Sequence, residues 1–292
     1  MKILRDPELK QMSTLKMGGQ GTVALYPFQE SHLDEIGRNW MRWGKQLLSL
    51  GRGSNILFTE GRKDLVLIRW QRQGSPRIIS QGREKVRIRV DGGYSLPGLL
   101  GWSAGSGLSG LEELAGIPGT VGGAVAMNAG SHDLEICSLV SSIDIWTPEQ
   151  GVINLKSEDL QCGYRFFAPR SENGWFLILA AELNLVPHTP PLVRDKIKRF
   201  YLRKRRMQPV LAATAGCVFR NPQEGDPAGK LLEQAGFRGK HRGNVGFSGK
   251  HANFLVNLGG GTSTQALELI QEARETVYNM FGHTLEMEIQ VV

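Results

Sequence analysis

Apolar residues recur with a period near two along some stretches of the chain and at helical spacing along others, which sets the expected order of elements. Thr22–Tyr26 reads as a strand. Leu33, Ile36, Trp40 and Trp43 then recur at helical spacing behind a Ser31 cap. Gln46–Leu50 and Leu65–Ile68 read as strands on either side of the turn Gly51–Asn55. Together they make a small α/β unit, whose ligands belong beyond the carboxyl ends of its strands. Val86, Ile88 and Val90 alternate with Lys85, Arg87 and Arg89, the pattern of a half-solvated strand. Ser142–Trp146, Val152–Leu155 and Trp175–Leu185 read as further strands, so this middle part is richer in β structure. Pro187, Pro190 and Pro191 mark a boundary before a cation-rich helix, Leu192–Met207. A helix near Ala228–Ala235 follows, and then a polar turn at Gly249 enters a strand ending at Asn257. Thr262 and Gln265 form a capping box for a helix lined by Ala266, Leu269, Ile270, Ala273 and Val277 and closed by Gly282. Leu285–Val291 reads as a last strand with Glu286 and Glu288 on one side.

Glycine changes this picture most. Eight glycines fall between Gly105 and Gly130, among Ala, Ser, Thr and one Pro. At that density the chain offers backbone N–H groups and close approach, the means by which phosphates are cradled. Gly51–Asn55 is a second candidate cradle of the same type, with an ordinary turn as the alternative. Gly105, Gly107 and Gly110 also fit G-x-G-x-x-G, but Leu96–Trp102 before them reads as a turn into a helix. A dinucleotide fingerprint needs a strand there, so the match carries no weight.

At 292 residues with 40% apolar and 22% charged content, the chain suits a globular protein of two or three domains. No apolar run is long enough to span a membrane, and MKILRDPELKQ carries charges where a leader peptide needs an apolar core. Three scattered cysteines form no disulfide framework and suit a reducing cytoplasm. The net charge of +7 favours an anionic partner. Six histidines show no metal-ligand spacing, so no metal is expected. Neither a G-x-x-x-x-G-K-[ST] loop nor a G-x-S-x-G elbow occurs. The residues alone point to a binder of nucleotide-like anions.

The motifs resemble a known family. Ser13-Thr14-Leu15 with Gly18-Gly19 is similar to an N-T-L-x-x-G-G element, and Leu50–Leu57 to L-G-x-G-S-N-[IL]-L. Gly107–Gly130 follows G-L-S-G-L-E-x-L-x-G-I-P-G-T-V-G-G-A-x-x-M-N-A-G throughout. Gly163-Tyr164-Arg165, Gly216–Pro222, Lys250–Asn257 and Leu285–Ile289 match four further elements. These resemble UDP-N-acetylenolpyruvoylglucosamine reductases over nearly the whole chain. The resemblance implies an α+β fold: a two-part FAD-binding module of the vanillyl-alcohol-oxidase (PCMH) type plus a smaller α+β substrate-binding domain. It divides the chain into FAD-binding subdomains at 1–70 and 71–187 and a substrate domain at 188–292, whose last strand returns Glu288 to the active site. It also implies the shorter subtype, which lacks an extra substrate-capping insertion.

The implied reaction reduces UDP-N-acetylglucosamine enolpyruvate to UDP-N-acetylmuramate for peptidoglycan, with bound FAD and NADPH as co-substrate. Residue by residue, the resemblance makes Arg165, Cys217 and Glu288 catalytic. It assigns FAD binding to Gly51, Arg52, Gly53, Ser54, Asn55, Ile117, Pro118, Gly119, Thr120, Gly122, Gly123, Asn128 and Gly130. Substrate binding falls to Tyr164, Asn221, Lys250, His251 and Asn253, with part of the basic helix. Arg165 would stabilise an electron-rich carboxylate, and Glu288 would act as a neutral acid. Cys217 stands where the family commonly has Ser, and with a pKa near about 8.5 a free thiol is the stronger acid. Arg220 replaces the family's Lys, Met287 its Pro, and the serine often found two residues after the Arg is absent. The expected setting is a cytoplasmic monomer that meets a UDP-sugar and NADPH but neither nucleic acid nor membrane. Two alternatives stand beside this: another FAD-linked oxidase on the same module, and a nucleic-acid binder suggested by the pI of 9.4 and the basic helix.

Overall fold

The computed structural model describes residues 1–170 and 174–292. The chain divides into two compact units. The first comprises Met1–Arg5, Thr22–Arg52 and Asp64–Arg203; the second comprises Asp6–Gly21, Gly53–Lys63 and Lys204–Val292.

Two sheets build the first unit. One is four-stranded, in the order Lys2–Arg5, Gln20–Tyr26, Arg62–Ile68 and Gln46–Ser49, with the last two parallel. Helix α1 (Glu30–Asn39) buries Leu33 and Ile36 in a core with Val23, Leu25, Val66 and Ile68. The other sheet is antiparallel, in the order Gly151–Lys156, Val140–Thr147, Leu177–Pro187, Val86–Asp91 and Arg77–Gln81. Ile88, Val90, Ile143 and Leu183 of this sheet share a core with α2 (Leu96–Ser106) and α3 (Val121–Ala126). Each of these four is less than about 2% exposed, so each supplies roughly 1.5–3 kcal/mol of burial.

In the second unit a four-stranded antiparallel sheet runs Ala213–Cys217, Phe254–Asn257, Val245–Phe247 and His241–Arg242. Helices α5 (Ala228–Gln234) and α6 (Ser263–Phe281) share its core through Leu231, Leu232, Leu269 and Ile270. Leu15, Met17 and Leu57 are buried in the same core, and Ile56–Leu57 pairs in parallel with Gln290–Val291. That burial is why Asp6–Gly21 and Gly53–Lys63 group with the C-terminal residues rather than with the rest of 1–70. Helix α4 (Pro190–Met207) starts on the proline pair, and the unit boundary falls within it after Arg203.

Several elements differ from the sequence expectation. Gln29, not Ser31, caps α1, and it does so without a side-chain hydrogen bond. Arg77–Gln81 is a strand with every residue exposed, so no alternation betrays it. Of Leu285–Val291 only Gln290–Val291 is strand, together with an isolated bridge between Phe219 and Met287. The capping box at Thr262 and the left-handed Gly282 cap of α6 stand as expected. So does the rejected dinucleotide fingerprint: Gly105 lies inside α2, and Gly107 is its left-handed cap. No helix among the described residues is long and apolar enough to cross a membrane.

Candidate active site

The first unit holds a backbone cradle. Leu50 donates to Ile68 O at 2.9 Å as it leaves its strand, and Gly51 follows. A Cβ on Gly51 would stand 2.7 Å from Thr120 Oγ1, so the two glycine-rich stretches meet here, and only glycine permits that approach. Thr120 caps α3 by accepting from Gly123 N at 3.3 Å. Val121 and Gly122 N–H donate to the Tyr94 and Gly92 carbonyls. By contrast, the N–H groups of Gly51, Arg52, Gly119 and Thr120 donate in no backbone hydrogen bond among the described residues. They are the donors the cradle presents. Arg69 lies at the strand end beside it, and its pKa is pushed down by burial, with Tyr26 opposing and the Arg52 charge adding. Two guanidinium groups held near such donors make a field suited to an anion.

The glycines after Thr120 serve different ends. A Cβ on Gly122 would lie 3.1 Å from the carbonyls of both Gly92 and Ile178, so the sheet behind it demands glycine. On Gly123 it would meet only Thr120 Oγ1, at 3.3 Å, and a ligand can take that space. A diphosphate such as that of FAD fits these donors. Ile117 is half-buried and Pro118 exposed on the approach to Gly119.

Arg165 stands at the tip of a hairpin formed by Leu160–Gly163 and Phe166–Pro169. Its φ is 53°, a left-handed conformation in which a long side chain is strained by about 1–3 kcal/mol. The turn lacks the Gly, Asn or Asp that marks such hairpins, which is why sequence pattern missed it. Arg165 Nη2 donates to Gly130 O at 3.0 Å, and its guanidinium stacks over Tyr164 at 5.1 Å. A Cβ on Gly130 would approach Arg165 Nη1 to 3.0 Å, so Gly130 makes room for this cation. Asn128, fully buried at φ 40°, supports the turn from below. Its Nδ2 donates to Gly163 O and Glu135 Oε2, both at 2.8 Å, and its Oδ1 accepts from Cys137 N at 3.1 Å. Its amide is thus committed to the protein.

The second unit pairs the backbone at Glu288 with that at Val218, next to Cys217. Strand Ala213–Cys217 bulges before Cys217, where Gly216 has φ 86°. Glu288 N donates to Val218 O at 2.7 Å, and Arg220 N to Glu286 O at 2.9 Å. Asn253, 2% exposed, clamps the same strand. Its Oδ1 accepts from Phe219 N at 2.9 Å, its Nδ2 donates to Phe219 O at 2.8 Å, and its carbonyl accepts from Val218 N at 2.8 Å. Asn55 holds the other side: its Nδ2 donates to Glu288 O at 3.1 Å, and its carbonyl accepts from Gln290 N at 2.9 Å. Gly53, at φ 64°, accepts from Thr14 N at 3.1 Å, and the Thr14 hydroxyl lies 2.6 Å from Thr214 O. Ser54 follows, half-buried. Thr14 and Asn257, whose Nδ2 donates to Leu15 O at 3.0 Å, are anchors to which sequence reading gave no role. Their only signal is a polar residue repeated inside otherwise apolar motifs.

The residues assigned to substrate split by exposure. Lys250 is exposed, with Nζ 3.3 Å from Arg205 O at the end of α4, and Asn221 is exposed while its Oδ1 accepts from Ala228 N at 3.1 Å. Tyr164 is exposed as well. His251 accepts from Asn253 N at 3.2 Å through Nδ1, and burial pushes its pKa down, with Arg238 adding and Glu233 opposing. Its ring supports the clamp by accepting from the Asn253 backbone. Arg205 and Arg206 are exposed on α4, whereas Lys204 is buried, so that helix is not a uniformly solvated face. No cluster suited to a metal ion occurs among the described residues.

Comparisons with known proteins agree with this layout. A family model described as an FAD binding domain matches residues 23–156, and one described as UDP-N-acetylenolpyruvoylglucosamine reductase, C-terminal domain, matches 208–292. The UDP-N-acetylenolpyruvoylglucosamine reductase of Oleidesulfovibrio alaskensis is 44% identical over 291 residues, which cover 99% of this chain and 97% of that one. The enzyme of the same name from Nitratidesulfovibrio vulgaris is 40% identical over 292 residues, 100% of this chain and 99% of that one. The crystal structure of the Thermus caldophilus enzyme superposes with a TM-score of 0.82 at 28% identity, covering 100% and 99% of the two chains. The fold is α+β, an FAD-binding domain with a smaller C-terminal domain. The chain belongs to the UDP-N-acetylenolpyruvoylglucosamine reductase family, FAD-binding oxidoreductases of peptidoglycan precursor synthesis.

Proposed function

We propose that this chain reduces the enolpyruvyl ether of UDP-N-acetylglucosamine to UDP-N-acetylmuramate, drawing electrons from NADPH through bound FAD. The observation that carries the reading is the backbone hydrogen bond from Glu288 N to Val218 O at 2.7 Å, which sets the backbone at Glu288 beside the residue that follows Cys217. The free thiols at Cys137, Cys162 and Cys217 suit a cytoplasmic setting.

FAD would be held by the N–H groups of Gly51, Arg52, Gly119 and Thr120, with Gly53, Ser54, Ile117, Pro118 and Gly123 beside its diphosphate. Asn55, Gly122, Asn128 and Gly130 serve the same end indirectly, by shaping the backbone. When bound, FAD reduced by NADPH supplies a hydride to the methylene carbon of the enolpyruvyl group. Arg165 pairs its fork with the substrate carboxylate, where negative charge grows as the double bond is lost. Cys217 then gives its thiol proton to the adjoining carbon, and Glu288, kept neutral, acts as the second acid. Asn221, Lys250 and the exposed cations of α4 bind the sugar nucleotide, with Tyr164 stacked on Arg165 at the substrate end.

Purified protein is expected to be yellow, to release FAD on denaturation, and to oxidise NADPH only when the enolpyruvyl sugar nucleotide is present. NADPH oxidation independent of that substrate would overturn the reading. Gly123→Val is expected to leave an apoprotein with a nearly unchanged Tm, because the added Cβ meets only the Thr120 hydroxyl, at 3.3 Å, yet to hold little FAD. Full flavin occupancy, read from absorbance per polypeptide, would remove the cradle. The double change of Arg205 and Arg206 to Ala should raise KM for the sugar nucleotide about tenfold, since charge-assisted bonds contribute ~1.5–3 kcal/mol. Flavin reduction by NADPH should be spared, and an unchanged KM would return these cations to solvent.

A further inference from the structure

Two thiols outside the proposed chemistry lie against each other in the first unit. Cys137 sits in the 3-10 turn Ile136–Leu139, and Cys162 on the strand Leu160–Gly163 that leads into the Arg165 turn. The Cys162 thiol influences the ionisation of Cys137, and both are free. The backbone fixes this proximity independently. Asn128, fully buried, accepts from Cys137 N at 3.1 Å and donates to Gly163 O at 2.8 Å, so one amide spans the two segments. The thiols differ in access. Cys162 is exposed, whereas Cys137 is half-buried, with burial, the neighbouring thiol and Glu135 all raising its pKa.

We propose that Cys137 and Cys162 form a peroxide-sensitive dithiol pair whose disulfide fastens the hairpin that carries Arg165. Cys162, the accessible thiol, attacks the peroxide oxygen as its thiolate. The O–O bond breaks, hydroxide leaves to become water, and Cys162 becomes a sulfenic acid. Cys137 then attacks that sulfur, its proton goes to the departing hydroxide, and a second water leaves as the S–S bond forms. Two thiols and one hydrogen peroxide give one disulfide and two waters, with sulfur oxidised and peroxide reduced. Cys137, held as a thiol, resists oxidation alone and serves as the resolving partner. Cys162 is three residues from Arg165, so a bond there to the Ile136–Leu139 turn restricts the hairpin that presents the guanidinium.

The experiment treats the full-length flavoprotein with a small excess of hydrogen peroxide and reads intact mass, peptide maps and turnover. Wild type is expected to become about 2 Da lighter, with linked peptides containing Cys137 and Cys162, and to regain both mass and activity with dithiothreitol. Cys137→Ser should instead gain about 16 Da at Cys162 and react with a sulfenic-acid probe. Turnover of the oxidised wild type should fall several-fold, while Cys162→Ser stays insensitive to peroxide at these positions. Oxygen uptake at Cys162 without linkage in wild type, or linkage through Cys217, would overturn the pair. The loss of turnover rests on the role proposed for Arg165. A clean disulfide with unchanged turnover would overturn the coupling, and the mass readout stands apart from that role.

Discussion

Cys217→Ala is expected to slow turnover about 10²-fold or more, the scale on which a positioned general acid acts. The loss should fall in one half of the reaction. A proton donor acts only as substrate is reduced, so flavin reduction by NADPH should keep its rate while reoxidation by the enolpyruvyl substrate slows. Cys217→Ser should retain substantial activity, because a hydroxyl occupies nearly the same place on the bulge set by Gly216. The backbone argues that neither change disturbs the strand. Val218 and Phe219 are held by Asn253 and by Glu288 N. Rapid-mixing absorbance of the flavin in the three proteins separates the half-reactions. Wild-type reoxidation in Cys217→Ala would leave the thiol as packing alone.

For Arg165→Gly the expected result is a protein of nearly unchanged stability whose kcat is lower by about 10²–10³, as for the loss of a preorganised electrostatic group. Magnitudes decide the stability half. Relief of the left-handed φ returns about 1–3 kcal/mol. Losing the hydrogen bond to Gly130 O removes about 1 kcal/mol, losing the stack on Tyr164 about 0.5–1 kcal/mol, and the freedom of glycine in the unfolded chain about 0.5–1 kcal/mol. The sum is close to zero, so the denaturation midpoint should move little. Arg165→Lys keeps a charge without the planar fork and should fall between. A glycine variant with wild-type kcat would mean that the strained turn serves only folding. A variant that unfolds would mean that the guanidinium is a structural pin.

How far the sequence reveals this molecule depends on what each residue does. Periodicity was enough for α6, because a capping box, an apolar stripe and a terminal glycine all act locally. It failed for Arg77–Gln81, which is exposed throughout, and for the Arg165 hairpin, whose turn violates local preference. A residue in a conformation its type avoids leaves no local trace. Only motif resemblance pointed to Arg165. Resemblance in turn could not distinguish contact with a ligand from support of the backbone. Asn55, Asn128 and Asn253 stand in ligand motifs, yet their amides are engaged by Glu288 O, Gly163 O and Phe219. Gly122 and Gly123 look equivalent in sequence and differ only through the carbonyls of Gly92 and Ile178 behind the first. Such distinctions are tertiary, made by groups distant in the chain.

The pairing of Ile56–Leu57 with Gln290–Val291, and of Asn55 with Glu288 across 233 positions, also has a consequence for biosynthesis. Every residue of the first unit lies at or before Arg203, so all of it is made before most of the second unit. Leu15, Met17 and Leu57 emerge early but find their core only when residues beyond 204 arrive. Closing contacts of such separation is slow, and apolar groups left waiting attract other chains. The segment bearing Glu288 emerges long after Asn55, so the acid proposed for the reaction joins its partner late in synthesis. On a nascent chain, the early segments with Leu15 and Leu57 are where a chaperone would find work.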